Sequence, residues 1–557
     1  MNDQPTGNQN SAGLANTPRN TKCLLASVVI IGCMTAWFIA SYHGHSKKNT
    51  AVAKDEFSAE RAVNALSQIL GDQTPHPAGS TANQEVRQRL VAQLEAIGLD
   101  VEQSSFELQQ VPMCNLLTLI PGNSSVRPIL LATHYDSAEQ GPGAGDAGSC
   151  VAVLLETARI LNEHRLSQPD ARLKRDVYFL FTDGEEWVRN IRHGLNGAID
   201  FAETHPHPVL QRQPIVLNFD ARGAAGPSLL NETSSANSKL LQHVLPALPR
   251  PAFTASSFVT VYDLLPNATD FTVFRNAGLQ GLNFAFIDDP HRYHTAEDSL
   301  EFLDARSVQH HGNNALAIVR HLLDSDQQDF TDTENAVFFT VADHWIVCYP
   351  ERYAVPLAVV LLLVQLIGTR LSLRRGATVG QIFASFVAIT LTVVVSVVCG
   401  GIVSQFEYLR PQSYYGFGEF DPSIVCVLWF LAALSAMGVF KLFRKQTSTE
   451  STWASVWLAN SVVGLLAAIY VPGFSYVMLT AGVAPAILGL LPYRKSLLSV
   501  VAIAAAGLFC IPLAYQFGIA LGPKMAIPLS GICSVFLAPL FPLFAACKDS
   551  HTKPSIV

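Results

Sequence analysis

Charge is scarce in this chain of 557 residues: 15% are Asp, Glu, Lys or Arg, against 49% hydrophobic. That balance excludes an ordinary soluble globule, and the length exceeds a single domain. The bases form no Lys/Arg-rich block and the net charge is −7, which argues against nucleic acid as a partner. Cysteine is sparse where a fold would need it. Of ten cysteines, only Cys114 and Cys150 lie well inside the less apolar section, with Cys348 at its edge, so no disulfide-dense scaffold is implied and two buried thiols are expected. There is no internal repeat. The glycine-rich "GPGAGDAGS" lacks the GK[ST] ending of a phosphate cradle.

What the chain has in quantity is long apolar runs. The charge-free stretch 23 to 42 is as long as a bilayer-spanning helix and longer than the apolar part of a secretory signal. It is expected as an uncleaved anchor after a disordered cytoplasmic tail, 1 to 22. Further runs recur at 353–369, 377–406, 422–440, 453–472, 474–492, 497–521 and 525–546, which makes eight spans in all. Basic clusters occupy alternate gaps: Arg370, Arg374 and Arg375; Lys441, Arg444 and Lys445; Arg494 and Lys495; Lys548 and Lys553. The positive-inside rule puts these gaps and the C-terminal tail, 547 to 557, in the cytoplasm, and the section between spans one and two on the other side. That side is a periplasm in a bacterium, or a vacuolar or endoplasmic reticulum lumen in a eukaryote. The seven C-terminal spans hold almost no ionisable residues, which weakens an ion-coupled transport reading.

Between these membrane parts, 43 to 56 reads as a linker, 57 to 330 as a globular domain and 331 to 352 as a second linker. The segment "ANQEVRQRLVAQLEAIGL" puts Val86, Leu90, Val91, Leu94 and Ile97 on one helical face. "PILLATHYD", "DVYFLFTDG", "PIVLNFDA" and "GLNFAFIDD" are short apolar runs bounded by turn residues and separated by helical segments. Continuous apolar strands alternating with helices predict an α/β fold with a mainly parallel, doubly wound sheet. In such sheets ligands bind beyond the carboxyl ends of the strands.

The residues following each strand are all acids or imidazoles: His134 and Asp136; Glu185 and Glu186; Asp220; His294. Asp146 sits in the glycine-rich loop after the first of these. Taken singly, each has an ordinary explanation: Asp146 a helix N-cap, the glutamates a solvated turn, Asp220 an ion pair with Arg222, a lone histidine a structural residue. Together, carboxylates and imidazoles converging on one sheet edge demand positive charge between them, and a divalent metal supplies it. Zinc accepts both donor types. Two zinc ions bridged by one carboxylate need about five ligands, which His134, Asp146, Glu186, Asp220 and His294 provide. Glu185 is then free to act as general base on a water at the metals, and the adjacent glutamates divide the labour. Asp136 suits holding the His134 imidazole in one tautomer, and Tyr293 suits donation to the oxyanion of a tetrahedral intermediate. His291, His310 and His311 are expected as solvated neighbours or helix-surface residues, and Cys150 as a packing residue.

"THYDS", "GPGAGDAGS", "FTDGEE", "NFDARG" and "RYHTAEDS", in this order, resemble the co-catalytic di-zinc aminopeptidase family. The spans are similar in layout to its multi-spanning branch, which includes the vacuolar membrane protease and the endoplasmic reticulum metallopeptidase. The resemblance covers residues 57 to 325 in detail. It implies that Asp146 bridges both zincs, that His134 and Asp220 complete one metal and Glu186 and His294 the other, with Glu185 as base. Two features depart from the family pattern: Ala147 stands where Asp or Asn usually follows the bridging aspartate, at a peptide bond that is often cis, and Trp187 is bulkier than usual. The expected function is hydrolysis of peptides by a membrane-anchored zinc exopeptidase, an aminopeptidase. Related alternatives are a single-zinc glutaminyl cyclase and a non-catalytic receptor or assembly module on the same fold.

Overall fold

The computed structural model describes residues 17–44, 52–167, 172–188, 191, 193–265, 267–326, 329–408, 423–492, 495–521 and 526–545. Most of the expected N-terminal tail, the C-terminal tail and the gap 409–422 lie outside the described residues. The first helix, α1 (Thr17–His43), is followed by α2 (Ala59–Leu70) and α3 (Thr81–Ala96), each begun by a serine whose hydroxyl caps the first turn, Ser58 and Ser80.

Next come β1 (Val101–Leu108), β2 (Val111–Ile120) and β3 (Ile129–His134), then α4 (Cys150–Ser167), β4 (Val177–Thr182), the short α5 (Asn196–Ile199), β5 (Ile215–Ala221) and β6 (Leu229–Thr233). The α/β section continues through α6 (Ser238–Val244), α7 (Ser256–Tyr262), α8 (Asp270–Asn276), β7 (Gly281–Phe286) and α9 (Ala305–Asp324).

The seven strands lie in the order β1-β2-β4-β3-β5-β7-β6. The central four, β4-β3-β5-β7, run parallel; β1, β2 and β6 are antiparallel to their neighbours. The sheet is thus more mixed than the apolar runs implied. β1 ("VEQSSFEL") escapes a search for apolar runs because it is an edge strand without a buried face. It is joined to β2 through Gln109 and Gln110, both with positive φ, in the tight turn such hairpins favour.

Alternation along the central strands explains their continuous hydrophobicity. Ile129, Leu131, Phe179 and Leu217 face a core built with α2, α3, α4 and α9. Leu130, Ala132, Leu180 and Val216 face the other way, onto Phe201, Phe271 and Phe274. With both faces covered, neither can be polar. Each fully buried Leu or Phe contributes about 1.5–3 kcal/mol by leaving water.

The stretch expected as the second linker folds as a hairpin, β8 (Ala336–Val341) and β9 (Trp345–Pro350), leading into α10 (Ala354–Arg374). After it come α11 (Val379–Tyr408), α12 (Ser423–Leu442), α13 (Thr449–Tyr470), α14 (Pro472–Leu490), α15 (Lys495–Leu521), α16 (Ala526–Leu537) and the single turn α17 (Phe541–Phe544). Among the described residues, seven helices are long and apolar enough to cross a membrane, and the stretch Cys426–Leu442 of α12 is a shorter apolar helix.

The two parts share a core. Phe253, Phe258 and Ile287 of the α/β section and Phe339 of the hairpin pack in one cluster with Phe38, Tyr476 and Phe517 of the apolar helices. Polar contacts fix the junction: the Tyr42 hydroxyl donates to Asp288 Oδ1 (2.8 Å), and Arg250 donates to Asp343 (2.8 Å from Nε) and to the carbonyls of Ser41 and Gly44 (3.1 and 2.6 Å).

Candidate metal centre

The carboxyl ends of the parallel strands meet at one edge, as the chain's polar punctuation predicts. His134 is the last residue of β3, Asp220 lies near the end of β5, and Glu185 and Glu186 follow β4 after the turn at Gly184. His294 lies in the loop after β7, and Asp146 in the turn Ala144–Ser149 that enters α4. The peptide bond between Asp146 and Ala147 is cis, with alanine in the place where Asp or Asn was expected.

Five side chains form two groups sharing one carboxylate. His134, Asp146 and Asp220 bring ligand atoms within 4.8 Å of one another, as do Asp146, Glu186 and His294. Asp146 divides its oxygens: Oδ1 lies 3.2 Å from His134 Nε2, and Oδ2 lies 3.0 Å from His294 Nε2. Asp220 Oδ1 is 3.7 Å from His134 Nε2, and Glu186 Oε1 is 2.8 Å from His294 Nε2. The Glu186 oxygen makes no hydrogen bond despite that distance and its burial, as expected of an atom turned toward a shared point rather than toward the imidazole N–H.

The electrostatics match this geometry. Burial works against charge on His134, but the carboxylates of Asp136, Asp146 and Asp220 outweigh it and hold the imidazole well above its ordinary pKa. His294 is likewise raised, to about 11, where Glu186 and Asp146 overcome burial. Burial pushes Glu186 up to about 7, with His294 opposing, and raises Asp220 and, further, Glu185. So many buried acids call for positive charge between them, and imidazole-plus-carboxylate donors suit zinc. The donor set fits a pair of divalent cations.

Neighbouring residues hold the donors in place. The carbonyl of Asp136 lies 3.1 Å from His134 Nδ1 and can only accept, so Nδ1 carries the proton and Nε2 faces Asp146. The Asp136 carboxylate, 3.5 Å from His134 Nδ1, also accepts from two consecutive backbone amides, Glu185 N and Glu186 N, at 3.1 Å each. Four residues escaped the reading of the sequence. Asp298 accepts from Gly145 N (2.6 Å) and Asp146 N (3.3 Å), pinning the loop that carries the shared carboxylate. Asp183, held by Asn83 (3.0 Å) and the Tyr135 hydroxyl (2.8 Å), accepts from Cys114 N (3.0 Å) and ties the β4 turn to β2. Only "RYHTAEDS" hinted at Asp298, by nearness to His294.

Glu185 lines a cavity of about 380 Å³ together with Asp146, Asp220, Tyr262 and Tyr293. The Tyr293 ring stacks on His294, centroids 3.7 Å apart. Trp187 is exposed and is not among the cavity's lining residues. His310 and His311, expected on a helix surface, are buried: the paired ring nitrogens of His310 bind Ser228 N and the Arg250 carbonyl (2.9 Å each), and His311 packs edge-on against Phe219 and Phe286. Cys114 and Cys150 are free, buried thiols.

Residues 115–319 match the model of Peptidase family M28. The endoplasmic reticulum metallopeptidase 1 of Homo sapiens is 32% identical over 259 residues, 44% of this chain and 27% of that protein. The vacuolar membrane protease of Eremothecium gossypii is 30% identical over 241 residues, 43% of this chain and 22% of that protein. The chain therefore spans about a quarter of the length of these relatives. Among solved structures, BSAP, a zinc aminopeptidase from Bacillus subtilis, aligns at 15% identity and TM-score 0.38 over 50% of this chain and 98% of its own. A Porphyromonas gingivalis glutaminyl cyclase aligns at 20% identity and TM-score 0.37 over 48% and 98%. Over the section that holds the candidate metal centre, the chain is thus similar to Peptidase family M28.

Proposed function

We propose that this chain is a membrane-bound zinc exopeptidase, an aminopeptidase, acting on peptides at the non-cytoplasmic face. The observation that carries the reading is the split carboxylate of Asp146, one oxygen toward each three-residue group. His134, Asp146 and Asp220 would hold one zinc, and Asp146, Glu186 and His294 the other. A zinc pair supplies Lewis acidity, making water acidic near neutral pH and polarising the scissile carbonyl.

Glu185 does the proton work: its carboxylate lines the cavity beside Asp146 and Asp220, takes a proton from the attacking water and returns it to the leaving amine. The Asp136 carboxylate fixes the backbone from which Glu185 projects. Tyr293 lines the same cavity and donates to the developing oxyanion. Sidedness rests on the apolar helices: α10 leaves the hairpin at Ala354 and ends at Arg374, beside Arg370 and Arg375, so the basic end lies opposite the α/β section.

Purified full-length protein should hydrolyse aminoacyl reporter amides. Exhaustive chelation should abolish turnover and zinc should restore it. Glu185→Gln should lose turnover while keeping its zinc, and intact turnover in that variant overturns the mechanism. A stoichiometry of one zinc with cyclisation of N-terminal glutamine would instead favour the glutaminyl cyclase alternative.

A further inference from the structure

The lining of the cavity is of two kinds. Glu185, Asp146, Asp220 and Arg222 are charged, with Thr269 and Asn283 polar beside them. Phe258 and Val261 of α7, and Phe517 and Ala520 of α15, are apolar. The last two are unexpected, because α15 is a candidate membrane span whose apolar stretch, Leu497–Ala520, ends at this cavity.

Phe517 is also firmly held. Its ring packs against Phe258, centroids 5.1 Å apart, and lies parallel to Phe474 of α14 at 6.2 Å. It is 3% exposed, so it forms a rigid wall rather than a mobile flap.

We infer that Phe517 of the membrane helix α15, together with Phe258, sets the side-chain preference of the site by walling the pocket for a large apolar N-terminal residue. The inference rests on the aminopeptidase reading above. In a pocket of mixed lining the few placed polar groups orient a substrate, while the apolar wall takes the body of a side chain. The apolar wall leaves a charged side chain desolvated and unpaired. The specificity of the α/β section would then depend on a residue more than 200 positions beyond its catalytic loops, which explains why the two parts share one core.

The test compares kcat/KM for Leu, Phe, Ala and Glu aminoacyl amides, using zinc-loaded full-length protein in detergent micelles. Wild type should favour Leu and Phe over Ala and Glu by roughly tenfold or more, the scale on which apolar pockets discriminate. Phe517→Ala should lower the Leu:Ala ratio several-fold, chiefly through KM. Phe517→Trp, which narrows the pocket without emptying it, should lower the Phe:Ala ratio. Leu497→Ala, on the same helix but 54% exposed, should keep the wild-type ratios.

If Phe517 only packs the two parts together, its variants will lose activity equally on every amide, and unchanged ratios in both variants overturn the inference. A wild type that cleaves all four amides equally sinks this inference alone. A zinc-loaded wild type that cleaves none sinks the aminopeptidase reading and this inference with it.

Discussion

Replacing Asp136 by asparagine tests whether the geometry around the glutamate pair carries catalysis. In the native protein this buried carboxylate accepts two backbone amides, Glu185 N at Oδ1 and Glu186 N at Oδ2, both at 3.1 Å. A hydrogen bond to a charged group is worth about 1.5–3 kcal/mol, and a buried donor left without an acceptor costs about 1–3 kcal/mol. An asparagine keeps one acceptor oxygen but turns its NH₂ toward the other amide, so one bond is lost and two donors face each other. The turn should be destabilised by roughly 3 kcal/mol, part of which it relieves by moving. A displacement of about 1 Å at Glu185, the proposed base, is enough for a loss of about a hundredfold. Asp136→Asn should therefore lower kcat by about two orders of magnitude while the His134 imidazole keeps its carbonyl partner at 3.1 Å. Steady-state kinetics on a reporter amide, paired with zinc analysis and denaturant unfolding, reads all three quantities. Wild-type kcat with normal zinc would refute the reasoning, since the two amide bonds would then have no catalytic consequence.

Two groups away from the candidate metal centre make pH-dependent predictions. Burial, with His310 adding, pushes His311 down to about 3, against about 6.5 in an unfolded chain. The folded state thus binds fewer protons than the unfolded one between these values, and stability falls as pH drops from about 6.5 toward 3, by up to about 1.4 kcal/mol per unit. His311→Gln should flatten that acid limb of the Tm profile; parallel profiles for variant and wild type between pH 4 and 7 would count against it. Asp288 behaves in the opposite sense. Burial, with Asp289 and Asp304 adding and the Tyr42 hydroxyl opposing, pushes it up to about 8. Its stabilising contribution is complete below about pH 4 and is lost as pH rises through about 8. Asp288→Asn keeps an acceptor for Tyr42 and should gain Tm relative to wild type at pH 8 but not at pH 4; an equal change at both would show that charge is not the cause.

Much of the α/β section was legible because both faces of its parallel strands are covered. β3, β4, β5 and β7 read as unbroken apolar runs, and a strand's carboxyl end is where such folds bind ligands. The acids and imidazoles could therefore be found by reading the residues after each run. What escaped has a common cause. Asp298 and Asp183 act through backbone amides far away in sequence, at Gly145 and Cys114, and no local pattern announces such a partner. His310 and His311 sit side by side in a helix of mixed polarity, and only the packing of α9 on the sheet shows that both are buried. β1 was missed because an edge strand needs no continuous apolar run, whereas β8 ("AVFFTV") and β9 ("WIVCYP") are apolar but lie in the stretch read as a linker. Phe258 and Phe517 are ordinary apolar residues of a short helix and a long one until the fold brings their rings together.

The cluster in which Phe253, Phe258, Ile287 and Phe339 meet Phe38, Tyr476 and Phe517 constrains how this protein can be divided. Cutting after α1 and before α10 to obtain a water-soluble fragment would strip those aromatic rings of their cover, and a patch of that kind drives aggregation. A recombinant fragment beginning near residue 57 should therefore precipitate, or persist only as a self-associated species, even with every candidate zinc donor intact. The two parts should also lose structure in one cooperative step on heating, because each covers the aromatic face of the other.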